Sequence, residues 1–323
     1  MSPLMAAADM AVEHLNKDPS FFSLQSRGYR FKVVTGRSDC SNVDGLYQLV
    51  KLATLNNNTR ESLDAVIGPQ CDADCENVAR LSSDWKLPMI SFSCMSDNLS
   101  DKQKYAFFSR TITKLDGIYR FVRAVVTHFG WDHVTCIAPR TNVAKLLKAK
   151  LEEDNFTAAA FSGSFHEHGN LAIHFLRKLA SNSRVFVLFG NNEDIGDTLL
   201  LADELGMLNG DFVFMTVLMS RELLLAGQSD RARRSALDIA MEGLLDITFE
   251  DDYNHTEYLL FYQNLSNALM SGAQSNMYFT PRLIFDSFYA YGLAVQEAIE
   301  DGFELEDRQE IFNRIYPRVF LGE

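Results

Sequence analysis

The chain has no run of 18 or more apolar residues, so no stretch of it reads as a membrane-spanning helix. Its first residues lack the basic and apolar regions of a secretory signal peptide. Neither G-x-x-x-x-G-K-[ST] nor G-x-G-x-x-G occurs, which removes the phosphate-cradling loops of nucleotide enzymes. No G-x-S-x-G elbow is present, which removes the common serine-hydrolase arrangement. Positive charge is scarce: 30 Lys+Arg face 43 Asp+Glu, a formal net charge of −13 that repels phosphate backbones and anionic lipid over most of the surface. Nucleic acid is excluded as a partner, and membrane attachment is left to segments outside this chain. Cysteine is sparse and odd in number, at five, so the count alone fixes no redox compartment.

What remains is ordinary globular composition, 47 % hydrophobic and 23 % charged over 323 residues, enough for two lobes with cores of their own. Short apolar or β-branched runs alternate with helix-period segments, the pattern of βαβ units and parallel sheets. Helices are expected over residues 6–16, 45–55 and 75–85, with strands at 30–34, 64–67, 89–93 and 107–111. A second series opens after Thr113, with strands at 134–138, 158–165, 184–188, 212–217 and 243–249. Helices are expected between them at 143–153, 171–180 and 194–205, and three more at 258–269, 284–300 and 308–315 return to the first lobe. The expected division is residues 1–113 with 250–323 in lobe 1 and 114–249 in lobe 2.

A doubly wound lobe opens with the strand that ends up in the middle of its sheet, in the order 2-1-3-4-5. This chain opens on the helix that should follow that strand, so lobe 1 is expected to lack its first strand and the chain to be truncated at both ends. Five Asn-x-Ser/Thr sequons, at Asn57, Asn98, Asn155, Asn254 and Asn264, are candidate glycosylation sites. The segment His166-Glu167-His168, with His174 behind it, matches neither a helical zinc pair nor a Cys/His finger, so surface histidines are the simpler reading and no metal is expected. The acidic run Glu250-Asp251-Asp252 reads as a solvated loop, the other reading being a greeting surface for a basic peptide. Trp85 reads as a core or lobe-face anchor. Cys75, in the first turn of a helix, and Cys94, just past the adjacent strand, are placed to meet.

Several pieces, taken in order, carry a resemblance. They are Ile67-Gly68-Pro69-Gln70-Cys71, Val78-Ala79-Arg80-Leu81, Trp85-Lys86-Leu87-Pro88-Met89-Ile90-Ser91, Leu99-Ser100-Asp101, Phe108-Ser109-Arg110-Thr111 and Phe129-Gly130-Trp131. Asn209-Gly210-Asp211-Phe212-Val213-Phe214 and Phe285-Asp286-Ser287-Phe288-Tyr289-Ala290-Tyr291 extend it over nearly the whole chain. Together they resemble the receptor family ligand-binding region, in particular receptor guanylate cyclases of the natriuretic-peptide-receptor type. The resemblance implies an α/β fold, two doubly wound parallel-sheet lobes of the type I periplasmic-binding-protein clamp.

It further implies an extracellular ligand-binding region, without enzyme activity of its own, that couples a peptide or small-molecule ligand to rearrangement of a homodimer. A cyclase domain would lie outside this chain. It implies a Cys40–Cys71 bridge, and a chloride held by the backbone amides of Gln70 and Cys71. Gln70 stands where the natriuretic receptors have glycine, and a plain strand-end turn is the other reading. Cys136 faces no cysteine near residues 187–189 and reads as a buried thiol. If the ligand is small, the strand-end residues Ser91, Ser93, Asp97, Thr141 and Asn191 are the candidate cleft contacts. The natriuretic type binds hormone between subunits. A soluble or decoy binding protein of the same fold is the second reading, and an intracellular doubly wound enzyme, which needs free cysteines, the third.

Overall fold

Met89, Ile90 and Ser91 are all buried, and a strand with no polar face must be covered on both sides. The computed structural model describes residues 3–38, 43–55, 63–138, 143–163, 165, 169, 171–190, 192–217, 224–225, 230–247, 264–265 and 279–316. These fall into two units. One takes the described residues within Met1–Lys114, Thr256–Met270 and Thr280–Glu323, and the other those within Leu115–His255 and Ser271–Phe279.

In the first unit, helix α1 (Pro3–Lys17) buries Ala6, Ala7, Ala11 and Leu15. It gives way to a 3-10 turn at Pro19, where the Asp18 carboxylate accepts from the Ser20 amide at 2.8 Å. The serine donors hold that carboxyl below its ordinary range. Then follow α2 (Phe22–Ser26), α3 (Asp44–Leu55), β1 (Val66–Ile67), α4 (Asp72–Asp84), β2 (Met89–Ser91) and β3 (Phe108–Arg110). The strands form a parallel sheet in the order β1-β2-β3. One apolar cluster gathers Leu15, Phe21, Ile90 and Ala294 with Ile311 and Phe312, and another gathers Leu49, Val78, Met89 and Phe108. The sheet supplies Ile90 to the first and its neighbour Met89 to the second, so it is a layer between helices.

The second unit holds α5 (Leu115–His128), β4 (His133–Ile137), α6 (Val143–Glu153), β5 (Thr157–Phe161), α7 (Leu171–Ala180) and β6 (Val185–Leu188). It continues with α8 (Asn192–Glu204), β7 (Val213–Val217), α9 (Arg231–Ala240) and β8 (Leu244–Ile247). Its sheet is parallel throughout, in the order β5-β4-β6-β7-β8. Within the unit that is 2-1-3-4-5, the doubly wound order expected from the alternation of elements. Helices α10 (Phe279–Glu300) and α11 (Arg308–Ile315) pack in the first unit's core. Gly292 on α10 lets α1 approach closely: a Cβ there would stand 2.4 Å from Leu15 Cδ2.

The strand expected at residues 30–34 is not one. Residues 29–34 alternate half-buried and exposed, as an extended chain does, with Tyr29, Phe31 and Val33 turned inward. They join no sheet, because a strand in position 2 pairs only with position 1, and no strand fills that position among the described residues. The Asn16 side chain stands in, donating to the Phe31 carbonyl and accepting from the Phe31 amide, both at 2.8 Å. Helix α9 was not expected at all. The helix expected at 258–269 lies almost wholly outside the described residues.

Candidate functional site

In doubly wound sheets ligands bind beyond the carboxyl ends of the strands. At that edge of the first unit, β1 ends at Gly68, whose φ of +110° is open to glycine and strained for other residues. The Gly68 amide donates to the Ile90 carbonyl at 2.9 Å, and the chain turns through Pro69 to exposed Gln70. Cys71 is extended, at φ −97° and ψ 127°, and forms the N-cap of α4 through its carbonyl, which accepts from the Asp74 amide at 3.0 Å.

Asp74 is fully buried one turn further on. Its carboxylate accepts from Ser38 Oγ at 2.6 Å and from the Gly45 amide at 3.1 Å, which ties the segment before α3 to the start of α4. Gly45 has no room for a side chain, since a Cβ would lie 2.7 Å from Asp74 Cβ. Two helix N-termini therefore share one carboxylate, a favourable place for negative charge. An anion at the amides of Gln70 and Cys71 would meet this like charge.

Cys75 and Cys94 form a disulfide, with Cα atoms 6.3 Å apart, inside the usual span of the bond. Cys71 is also disulfide-bonded, and Cys40, the partner that the resemblance implies, lies outside the described residues. Arg110 fixes the loop after β2: one guanidinium nitrogen donates to the carbonyls of Cys94 and Ser96, each at 3.0 Å, and the other to Ser100 Oγ at 2.7 Å. Glu76 accepts from Ser96 Oγ at 3.0 Å, Asn98 Nδ2 at 3.1 Å and Tyr105 OH at 3.4 Å. Nothing in the sequence pattern pointed to this Glu76 network. Below it, Lys102 reaches the faces of Phe108, Phe312 and Tyr316, its Nζ 4.3 Å from the Tyr316 ring centre, and donates to the Phe108 carbonyl. Burial lowers its pKa to about 8, helped by the nearby Arg110.

Of the cleft candidates, Ser91 is fully buried. Its hydroxyl accepts from the amides of Cys94, at 3.0 Å, and Ser93, at 3.3 Å, and donates to the Pro69 carbonyl at 3.3 Å. It braces the turn. Ser93 is half-buried just past β2, and Asp97 opens the 3-10 turn Asp97–Ser100. Thr141 and Asn191 lie outside the described residues. Among the sequons, Asn98, Asn155 and Asn264 are exposed, while Asn57 and Asn254 lie outside the described residues, as do His166, Glu167 and His168. Trp85 is 40 % exposed at the end of α4 and is no core residue. Cys136 is a free, buried thiol whose register partner across β4–β6 is Val187, and burial pushes its pKa up to about 12.

Among the described residues, no cluster of three His, Cys, Asp or Glu is arranged to hold a metal ion, and no helix is long and apolar enough to cross a membrane. What the edge of the first unit offers is fixed scaffold: a disulfide, a buried carboxylate and an arginine clamp hold loops whose outer residues are polar.

Residues 3–315 match the family model described as the receptor family ligand binding region. The chain is 23 % identical over 310 residues to atrial natriuretic peptide receptor 3 of Bos taurus, covering 91 % of this chain and 57 % of that protein. It is 26 % identical over 290 residues to atrial natriuretic peptide receptor 2 of Bos taurus, covering 80 % and 27 %. Against guanylate cyclase 32E of Drosophila melanogaster it is 22 % identical over 334 residues, covering 99 % and 27 %. The chain thus spans between about a quarter and a little over half of the length of these relatives. With two parallel α/β units and a family match over almost its whole length, the chain belongs to the receptor ligand-binding-region family.

Proposed function

We propose that the chain is the extracellular ligand-binding region of a membrane receptor of the guanylate-cyclase type, and that it converts peptide binding into rearrangement of a homodimer. The observation that carries this reading is the family match over residues 3–315, which falls on a binding region and on no catalytic domain. The disulfide-tied edge of the first unit agrees with it, because such bonds persist in oxidising compartments.

A dimer needs an apolar patch that the monomer leaves uncovered. On α3, Val43 just before the helix, Tyr47 and Val50 recur at helical spacing, and Val43 and Tyr47 are 68 % and 58 % exposed. Ligand affinity that differs between two arrangements of such a dimer supplies the signal.

The test is direct binding. Atrial natriuretic peptide, the hormone in the relatives' names, is titrated into the secreted chain by calorimetry, and sedimentation is recorded with and without it. Saturable binding with a changed sedimentation coefficient supports the reading. A chain that binds no member of a panel of secreted peptides, and stays monomeric at tens of micromolar, overturns it.

A further inference from the structure

Helix α5 runs out into a pair of large aromatic rings at the surface of the second unit. The chain turns at Gly130, with φ +69°, and the Trp131 amide donates to the Val126 carbonyl at 2.8 Å, which fixes the turn. Phe129 is 55 % exposed and Trp131 half-buried, and their rings stack with centroids 4.6 Å apart and planes at 17°. Two rings stacked face to face and open to water form a platform for a flat partner.

A partner lies close by in the same chain. Thr157 opens β5 and its amide donates to the Asp132 carbonyl at 2.8 Å, so the segment Asn155-Phe156-Thr157 runs beside Trp131-Asp132-His133. That segment is a sequon. Asn155 stands exposed in the turn between α6 and β5, at φ +67°, and Thr157 is exposed as well. Among the described residues, neither side chain has a hydrogen-bond partner. The sequon at Asn98 differs: Asn98 Nδ2 donates to Glu76, and Ser100 Oγ accepts from Arg110, so both of its groups are engaged in the fold. The Asn155 sequon lies at the amino edge of the second sheet, away from the carboxyl edge at which doubly wound sheets bind ligands.

We propose that Asn155 carries an N-linked glycan whose first sugar rings lie on the Phe129–Trp131 pair. The inference rests on the extracellular reading above, because the sugar is added in the secretory route. Asn155 Nδ2 bonds to the anomeric carbon of a lipid-diphosphate-linked oligosaccharide, the bond from that carbon to the diphosphate oxygen breaks, the lipid diphosphate leaves, and one amide proton is lost. One face of a pyranose ring is a patch of C–H groups with slight positive charge, and the face of an aromatic ring is negative, so the two attract and shed water together. The glycan covers the exposed rings and leaves the carboxyl edge of the sheet open.

The test uses the intact chain secreted from cultured animal cells behind a supplied leader, so its outcome does not depend on whether the chain binds a peptide. Occupancy is read by mass spectrometry after enzymatic release of glycans in heavy-oxygen water, which marks each released asparagine as aspartate. The platform is read by a double-mutant cycle of Thr157→Val, which ends the sequon and keeps Asn155 in place, and Phe129→Leu, which removes one ring. Both positions are exposed, so neither variant threatens the fold. Urea unfolding is followed by Trp131 in a Trp85→Phe background. Asn155 should be glycosylated, and the rise in the unfolding constant caused by Thr157→Val should be about threefold or more larger with Phe129 than with leucine there. That coupling should vanish in chain made while synthesis of the lipid-linked oligosaccharide is blocked. A bare Asn155 in the secreted chain overturns the proposal. So does a cycle without coupling, or the same coupling in chain made without glycans.

Discussion

Removing the Cys75–Cys94 bridge by the double variant Cys75→Ala/Cys94→Ala should weaken the first unit and leave the second alone. The bond closes a loop of sequence separation 19, for which the loss of unfolded-chain entropy is worth about 3 kcal/mol. Both cysteines are fully buried, and the small cavities left by the sulfurs add about 1 kcal/mol. The expected cost is therefore about 3–5 kcal/mol. The chain has two tryptophans, Trp85 in the first unit and Trp131 in the second, so each unit can be followed by itself. In a Trp131→Phe background, urea unfolding read by Trp85 should shift by that amount, with a steeper denaturant slope as the unfolded chain expands. In a Trp85→Phe background, Trp131 should report almost no change. A loss below about 1 kcal/mol at Trp85, or an equal loss at both reporters, would refute the view that this bridge holds the first unit's edge.

Further outcomes are expected. Gly292→Ala sets a Cβ against the buried Leu15 at the crossing of α1 and α10 and should cost about 1–3 kcal/mol, read by the same Trp85 unfolding. Lys102 has a folded-state pKa of about 8, below its ordinary value near 10.5, so the unfolded chain binds more protons between those values and the stability it withholds at neutral pH returns as pH rises from about 8 to 10.5. The stability difference between Lys102→Met and the parent should accordingly be largest below pH 8 and shrink across that window, while a difference flat with pH would contradict the burial argument. Thiol titration in denaturant without reductant should find one thiol, Cys136, and none in the folded chain, where that group is buried. Tyr47→Asp should shift a dimer toward monomer in sedimentation while leaving the melting of either unit within about 1 kcal/mol of the parent.

Periodicity made much of the fold legible. The helices Val143–Glu153, Leu171–Ala180 and Arg308–Ile315 fall where their patterns end, and β4, β6 and β7 fall within a residue of their apolar runs. Helix α9 escaped because Arg231–Ala240 carries three arginines and buries little beyond Leu237 and Ala240. Its signal was the Asp230 cap, whose carboxylate accepts from the amides of Ala232 and Arg233. The segment 30–34 reads as a strand locally, but pairing is a property of its neighbour and cannot be seen in its own residues. The site followed the same division. The meeting of Cys75 and Cys94 could be read from a helix start beside a strand end. The Ser91 hydroxyl turned inward and the Asp74 carboxylate shared by two helices depend on burial and backbone direction, which no spacing encodes.

The most direct measurement of receptor function is a chimera in which this chain replaces the matching region of guanylate cyclase 32E of Drosophila melanogaster, displayed on cells that are then exposed to secreted peptides while cyclic GMP is recorded. At least one peptide should raise cyclic GMP in a saturable way, and Tyr47→Asp should abolish the response without lowering surface display. A chimera that reaches the surface, keeps its basal cyclase activity and answers to no peptide would contradict the assignment of this chain as a receptor's ligand-binding region.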